Sequence, residues 1–151
     1  MKEYYMKLAL LEAKKAEKKG EVPIGAVIVK DGKVIAKAHN LRQSKQSPIA
    51  HAEVLAIQKA SKKLNSWRLE DCTLYVTLEP CPMCSGAIIQ SRIKNVIFGA
   101  YDKKAGCAGS VFNIFNYAFN HVVDVKGGVM EEECKELLQR FFKELRVQKK
   151  S

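Results

Sequence analysis

Two short stretches of the sequence combine residue types that bind metals and carry protons. The first is His51-Ala52-Glu53 and the second is Pro80-Cys81-Pro82-Met83-Cys84. One imidazole and two thiols suit a tetrahedral zinc ion, and three protein ligands leave open the position at which catalytic zinc sites hold water. Glu53 stands two residues from the histidine, so its carboxylate can reach that position without binding the metal. These residues therefore indicate hydrolysis by an activated water molecule.

Both stretches are expected at the beginning of a helix. Cys81 and Cys84 are three residues apart, which puts them on one face of a first helical turn. Pro82 suits an early helical position, because its missing N–H costs little there. A helix N-terminus carries partial positive charge and lowers the pKa of a nearby thiol. His51 opens a second run with helical periodicity, so the site is predicted to face two helix N-termini.

A Cys-x-x-Cys pair alone has two other interpretations, a redox pair and half of a structural zinc site. A redox pair does not require the upstream His-x-Glu. A structural site requires a fourth protein ligand, and none of the remaining candidates stands in a second close-spaced pair; they are His39, His121, Cys72, Cys107 and Cys134. The complete pattern favours a catalytic zinc site.

The composition is that of a soluble globular protein, with 47% hydrophobic and 28% charged residues among 151. This length favours one domain, residues 1–151. No apolar run approaches the ~20 residues of a membrane span, and the first residues do not resemble a signal peptide. The number of cysteines is odd, at five, and two of them are better used as ligands, which predicts reduced thiols and a cytoplasmic location.

The chain carries a formal net charge of +10. Such an excess of basic residues on a small domain indicates a polyanionic partner. Basic proteins without a nucleic-acid function are common, so the charge gains weight only beside a site that modifies bases.

Periodicity and turn residues predict a mixed α/β sheet with helices on both faces. Asp31-Gly32 predicts an antiparallel hairpin at one edge, and helices between later strands predict right-handed parallel crossovers. Residues 40–48 are expected to form a polar loop. The packing faces of the second and last helices are expected to be Val54, Leu55, Ile57 and Ala60, and Leu137, Leu138 and Phe141. Helices are predicted at 3–19, 50–64, 83–92 and 131–146, and strands at 24–29, 34–38, 72–78, 95–98 and 122–125.

The segment 99–110 is rich in glycine and follows a predicted strand. In α/β sheets, ligands bind at the carboxyl ends of the strands. Tyr101, Asp102, Lys103 and Lys104 combine a stacking ring, a hydrogen-bond acceptor and two cations that suit phosphate. The alternative interpretation is a solvated turn.

His-x-Glu followed by Pro-Cys-x-x-Cys is the signature of the cytidine deaminase-like superfamily. Three further stretches resemble bacterial tRNA-specific adenosine deaminases of the TadA type, and they are Glu21–Val29, Leu74–Cys81 and Gly99–Gly106. The resemblance extends over almost the whole chain. It implies a three-layer α/β/α fold around a five-stranded mixed sheet, in which the last strand is parallel to its neighbour. It also implies conversion of adenosine to inosine at the wobble position of a tRNA anticodon stem-loop, by a homodimer with one zinc ion per subunit.

The resemblance assigns roles to individual residues. It implies that His51, Cys81 and Cys84 bind the zinc ion and that Glu53 moves protons between water, the base and the departing ammonia. Asn40 matches an asparagine that hydrogen-bonds the target base, although a turn residue at a strand end is the alternative. Asp102 matches an aspartate near the ribose of the target nucleotide. The C-terminal Phe142 and Arg146, with Lys149 and Lys150, match a segment near the path of the RNA.

Two other functions remain open from the sequence. The first is a deaminase of free bases or nucleosides, of guanine or cytosine type, on the same scaffold. The basic charge, Asp102 with the two lysines after it, and the Phe141-Phe142 pair in the last helix argue against it. The second is a non-catalytic RNA-binding subunit, which could dispense with Glu53, yet this residue is present.

Overall fold

A five-stranded mixed sheet lies at the centre of the structure, which is a computed structural model describing residues 1–150. The strands are β1 (Gly25–Lys30), β2 (Lys33–His39), β3 (Cys72–Leu78), β4 (Asn95–Ala100) and β5 (Asp124–Lys126). Their order across the sheet is β2-β1-β3-β4-β5. β1 is antiparallel to both β2 and β3, whereas β3, β4 and β5 are parallel. The predicted hairpin edge, the parallel crossovers and the parallel last strand are confirmed.

Helices cover both faces of the sheet. They are α1 (Lys2–Lys18), α2 (Arg42–Lys45), α3 (Ala52–Leu64), α4 (Pro82–Gln90) and α5 (Glu131–Lys150), with a 3-10 turn at Ile114–Asn116. α3 and α4 pack against one core cluster, and α1 and α5 pack against the other, on the opposite face. The three-layer α/β/α arrangement is therefore confirmed. Among residues 1–150, no helix is long and apolar enough to cross a membrane.

The hairpin between β1 and β2 follows from its two turn residues. Asp31 and Gly32 have φ values of 51° and 73°. Two successive left-handed residues match the right-handed twist of the flanking strands, and Asp-Gly is one of the few pairs that adopt them at low cost. The hairpin sets the register in which Gly25 pairs with His39, and Asn40 follows directly at the edge of the sheet.

The predicted polar loop at 40–48 contains the short helix α2, which was not predicted from the sequence. The physical reason is a buried carboxylate from a distant part of the chain. Glu21 is 1% exposed and accepts hydrogen bonds from the backbone N–H groups of Gln43 and Ser44 and from the Ser44 hydroxyl. These bonds satisfy donors at the beginning of a helix that is too short to be stable by itself.

The buried face of α3 agrees in part with the predicted one, because Ala60 is buried and Leu55 and Ile57 contact the core. Ala52, Ala56 and Ala60 are fully buried together with Glu53, whereas Val54 is only partly buried. Leu55 and Ile57 pack at the margin of the core, as does Leu64. Small side chains line this face because α3 lies close against the β1–β2 hairpin, which leaves no room for larger ones.

The last strand and the last helix are also shifted from their predicted bounds. β5 begins at Asp124 rather than at residue 122, and Val122 is 71% exposed. α5 continues to Lys150. Its packing face is formed by Cys134 and Leu137, which are buried, while the predicted Leu138 and Phe141 are partly buried.

Candidate metal centre and substrate pocket

His51, Cys81 and Cys84 come together although the first is thirty residues from the second along the chain. His51 is the N-cap residue of α3, and Cys81 is the N-cap residue of α4, directly after β3. Cys84 lies in the first turn of α4 and is completely buried. The two helices thus begin at the same edge of the sheet, and both N-termini face the cluster, as predicted.

The distances within the cluster fit a tetrahedral zinc ion. The Nδ1 atom of His51 lies 3.6 Å from the Sγ atom of Cys81 and 3.5 Å from the Sγ atom of Cys84, and all three ligand atoms lie within 4.8 Å of one another. With usual Zn–N and Zn–S bond lengths, a tetrahedral site separates nitrogen from sulfur by about 3.6 Å. The three side chains could therefore bind zinc through His51 Nδ1 without rearrangement.

The electrostatics of the cluster favour a metal cation. The Cys84 thiol hydrogen-bonds Cys81, and this bond together with that from His51 lowers the pKa of the Cys81 thiol to about 4. The same bond and burial raise the pKa of Cys84, and the hydrogen bond to Cys81 raises the pKa of His51. Protons are thus shared among three crowded groups, and a divalent cation can replace them.

Glu53 lies in the first turn of α3 beside the cluster and is only 4% exposed. Burial, together with the negative charge on Cys81, raises its carboxyl pKa to about 7. A carboxyl group whose pKa is near neutrality can both accept and release a proton during turnover. The position and the environment of Glu53 suit proton transfer.

A small cavity of about 70 Å³ lies next to His51, and its wall includes Asn40. Asn40 is 3% exposed; its Nδ2 donates to the Val22 carbonyl at 3.5 Å and its Oδ1 accepts from the Arg42 N–H at 3.3 Å. Both bonds are long, so the amide is oriented but retains hydrogen-bonding capacity for a ligand. Arg42 also lines the cavity; the sequence placed it only in a polar loop.

A larger cavity of about 250 Å³ lies at the β4–β5 edge, under the 3-10 turn. Its lining includes Phe98, Tyr101 and Asp124, and none of the described residues around it is a histidine or a cysteine. The chemistry of the donor groups therefore identifies the smaller cavity as the candidate active site.

The segment 101–110 packs directly against the stretch that leads into Cys81. The Cys107 N–H donates to the Pro80 carbonyl, and the Asp102 N–H donates to the Glu79 carboxylate, both at 2.9 Å. Asp102 is partly buried, whereas Lys103 and Lys104 are exposed. The structure thus places the segment that carries these three predicted residues against Glu79 and Pro80, directly before Cys81.

The role of Glu79 was not predicted from the sequence. It is 2% exposed, and the donors to its carboxylate among residues 1–150 all belong to this same segment. The available signal was a charged residue directly after a strand that contains no charge, and directly before Pro80-Cys81.

Phe142 and Arg146 are not brought to the metal cluster. They lie on α5, on the face of the sheet opposite α3 and α4, and both are exposed. Their contact with RNA stays a prediction.

His39, Cys72 and Cys134 have structural surroundings. His39 is hydrogen-bonded to Glu12 at 3.0 Å and to Lys19 at 3.0 Å. Cys72 is fully buried in the core next to α3 and α4, and burial raises its pKa. Cys134 packs on the backbone of Gly99, and burial raises its pKa to about 12.

A protein-family model described as MafB19-like deaminase matches residues 1–146. This chain belongs to that deaminase family. The matched region contains every candidate site residue from Asn40 to Arg146. The tRNA-specific adenosine deaminase of Bacillus subtilis (strain 168) is 59% identical over 150 residues, which cover 99% of this chain and 93% of the relative.

Two further relatives agree with this membership of the deaminase family. The tRNA-specific adenosine deaminase of Aquifex aeolicus (strain VF5) is 56% identical over 146 residues, which cover 96% of each chain. A structure solved in a study of A-to-I editing by tRNA:A34 deaminases at the wobble position is 43% identical. It superimposes with a TM-score of 0.87 over 89% of this chain and 99% of its own. The fold is therefore the cytidine deaminase-like fold.

Proposed function

We propose that this protein catalyses the hydrolytic deamination of adenosine to inosine at the wobble position of a tRNA anticodon, with one zinc ion per subunit. The observation that carries the proposal is the His51–Cys81–Cys84 cluster, with 3.5 and 3.6 Å between nitrogen and sulfur, beside the buried carboxylate of Glu53. The identity of 59% to a tRNA-specific adenosine deaminase over nearly the whole length supports adenosine in tRNA as the substrate.

His51 Nδ1 and the two sulfur atoms hold the zinc ion in this proposal. Zinc bound there supplies a water molecule of lowered pKa, which makes a nucleophile available near neutral pH. Glu53 accepts the proton from the attacking water and delivers it to N1 of the adenine. It then takes the second proton from the hydroxyl group formed at C6 and passes it to the amino group, which departs as ammonia and leaves the C6 carbonyl of inosine. The buried position of Glu53 supports this role, because a carboxyl with a pKa of about 7 exchanges protons readily at neutral pH.

Asn40 holds the base beside the zinc ion. Its amide offers one donor and one acceptor, which complement the edge of adenine. The base must leave the stack to enter the cavity, and in a single-stranded anticodon loop this costs little. Asp102 accepts a hydrogen bond from the ribose 2′-hydroxyl of the target nucleotide.

Cationic residues bind the phosphates around the target base. Lys103 and Lys104 are exposed next to Asp102, and we assign them to the flanking phosphates. Phe142 and Arg146 on α5 are assigned to a more distant part of the RNA. A net charge of +10 supports binding to a polyanion.

The experiment that tests the substrate class compares three substrates. An anticodon stem-loop RNA with adenosine at the wobble position is assayed beside free guanine and free cytidine. Inosine formed in the RNA, with both small substrates unchanged, is the expected result. Deamination of a free base or nucleoside with the RNA unchanged would contradict the proposal and favour a free-base or nucleoside deaminase.

We further propose that residues 1–151 act as one deaminase domain, in a homodimer in the cytoplasm. The dimer is supported by family membership, since a second subunit would extend the surface offered to the RNA. Sedimentation velocity at micromolar concentration tests it. A single species of 16.9 kDa would contradict the dimer.

A further inference from the structure

The carboxylate of Glu79 lies between the metal cluster and the segment 101–110. It stands two residues before Cys81, directly after β3, and is 2% exposed. Its Oε1 accepts from the Asp102 N–H at 2.9 Å and from the Ser110 hydroxyl. Its Oε2 accepts from the N–H groups of Ala108 at 3.0 Å and Ser110 at 3.1 Å. All four donors belong to one segment, 23 to 31 residues away along the chain.

The segment closes around this carboxylate. Gly106 packs so closely on the Glu79 side chain that a Cβ atom there would collide with it. The Gly106 N–H donates to the Asp102 carbonyl at 2.8 Å, and Asp102 Oδ1 accepts from the N–H groups of Lys104 and Ala105 at 3.0 and 3.1 Å. The backbone of Asp102 is therefore held directly by Glu79, and the Asp102 side chain in turn holds the backbone of Lys104 and Ala105.

We infer that Glu79 is a positioning residue for substrate binding. It fixes Asp102, Lys103 and Lys104 in place relative to Cys81, so that the ribose and phosphates are held while the base is at the zinc ion. This inference rests on the proposed function, because it assigns the segment to RNA.

A carboxylate is required at this position, and an amide of the same shape does not replace it. The four donors need an acceptor on both oxygens. In Glu79→Gln, an NH₂ group at the Oε1 position faces the Asp102 N–H, while the Ser110 hydroxyl can rotate to accept. In the flipped orientation the NH₂ group would occupy the Oε2 position and face two N–H groups, those of Ala108 and Ser110. The favoured orientation therefore costs the Asp102 bond and releases the part of the segment that carries the proposed substrate contacts.

The expected consequence is a rise in KM without a fall in kcat. If the ordered segment is only fractionally populated in the free variant, the apparent affinity falls by that fraction. Saturating RNA restores the ordered segment, and the zinc ligands and Glu53 are untouched. A purely structural role would instead lower the melting temperature and the active fraction, which reduces kcat and leaves KM unchanged.

The test measures kcat and KM of wild type and Glu79→Gln on the wobble-adenosine stem-loop, with the zinc content of each. We expect KM to rise by about tenfold, kcat to stay within about twofold, and one zinc equivalent to remain. Ser110→Ala removes one donor to Glu79 and should raise KM by a smaller factor. The matched control is Ser91→Ala, which likewise removes a serine hydroxyl, here one that donates to the Ile88 carbonyl in a buried hydrogen bond. The KM of this control should not change.

A double variant checks that Glu79 acts through the segment. The rises in KM from Glu79→Gln and Asp102→Ala should be less than multiplicative when combined. Glu79→Gln displaces Asp102 and Asp102→Ala deletes its carboxylate, so both weaken the one proposed contact between Asp102 and the ribose. Multiplicative effects, an unchanged KM in Glu79→Gln, or a fall in kcat alone would overturn the inference.

Amide hydrogen exchange separates this inference from the proposed function. The amides of Asp102, Ala108 and Ser110 should exchange faster in Glu79→Gln than in wild type, and should not in Ser91→Ala. Faster exchange in an enzyme that does not act on RNA would keep the positioning of the segment and contradict the proposed substrate. Unchanged exchange in an active enzyme would contradict the positioning role alone.

Discussion

At the scale of single residues, the active site consists of two pairs of residues. The members of each pair are close in the sequence, and the fold brings the two pairs together. His51 and Glu53 share the first turn of α3, while Cys81 and Cys84 share the first turn of α4. Local spacing predicted these four residues, because each pair needs only a helical turn to be placed correctly. Glu21 and Glu79 were not predicted as structural anchors, because their partners lie more than twenty residues away.

The proton-transfer role of Glu53 leads to a prediction for Glu53→Ala. The variant should keep its fold and a full zinc equivalent, because Glu53 is not a metal ligand. Its turnover on stem-loop RNA should fall by at least about a hundredfold, the contribution typical of a positioned general acid–base group. Single-turnover kinetics and metal analysis measure both properties, and a wild-type rate would show that another group moves the proton.

The ligand role of Cys84 is tested by comparing two buried cysteines. Cys84→Ala should lose zinc, because two protein ligands do not hold the ion against a chelator. Cys72→Ala removes a thiol from the core, away from the cluster, and should retain one equivalent. Metal content after mild dialysis against a chelator gives the result. A full equivalent in Cys84→Ala would exclude Cys84 as a ligand.

At the scale of elements, local sequence signals decided the positions of most helices and strands within a few residues. Periodicity and the Asp31-Gly32 turn are local, so they can be read directly. α2 was missed because its four residues form a helix only with Glu21 present. β5 has the weakest signal, three residues with one partly buried, and its parallel direction came from family resemblance.

The anchoring of α2 by Glu21 predicts a pH-dependent stability. Burial alone would raise the pKa of Glu21, but hydrogen bonds from Ser44 and Gln43 outweigh it and lower the pKa below 4.5. A lowered carboxyl pKa stabilises the fold above the unfolded value, and this contribution is lost as pH falls through the folded pKa. Glu21→Gln should lower the free energy of unfolding by about 1–3 kcal/mol at pH 7, with a smaller difference from wild type below pH 4.5.

Urea unfolding at both pH values measures this difference, with Glu70→Gln as the control. Glu70 is exposed in a surface pair with Arg68, so its loss should cost less than about 1 kcal/mol at either pH. If the free energy of unfolding of Glu21→Gln lies below that of wild type by the same amount at neutral and acidic pH, the assigned role of the ionised carboxylate is contradicted.

The contact between α1 and β1 predicts opposite effects for two glycine substitutions. A Cβ on Gly25 would collide with the backbone of α1 at Ala9 and Ala13, so Gly25→Ala should destabilise the protein by several kcal/mol or prevent folding. Gly86 lies inside α4 with open space around it, and Gly86→Ala should gain about 0.5–1 kcal/mol. Thermal and urea unfolding measure the stability of both variants relative to wild type. Equal stability of the two variants would contradict the close packing of α1.

At the scale of the whole molecule, charge and fold together determine which substrates the active site can bind. The metal cluster, Asn40 and the segment 101–110 lie at one edge of the sheet, while the net charge of +10 belongs to the whole chain. The excess of basic residues can be counted from the sequence. Which basic residues surround the site cannot be predicted in this way, because their positions depend on the strand order. The structure adds Arg42 to the wall of the cavity.

The proposed phosphate contacts predict a change in the salt dependence of RNA binding. Substitution of Lys103 and Lys104 by alanine should reduce the slope of log K against log salt by about 0.7 per lysine, as expected for single-stranded contacts. The same change at Lys62 and Lys63, in the last turn of α3, should leave the slope near wild type. Binding titrations at several salt concentrations measure both pairs, and equal slopes would contradict a specific role for the segment 101–110.

The most direct test of the proposed function is deamination of a wobble-adenosine stem-loop in water enriched in ¹⁸O. Hydrolytic attack at C6 predicts inosine at the wobble position alone, with one heavy oxygen per converted base by mass spectrometry of the mapped nucleotide. Wild-type enzyme that leaves the adenosine unchanged, or that forms inosine without heavy oxygen, would contradict a zinc-dependent hydrolytic tRNA adenosine deaminase.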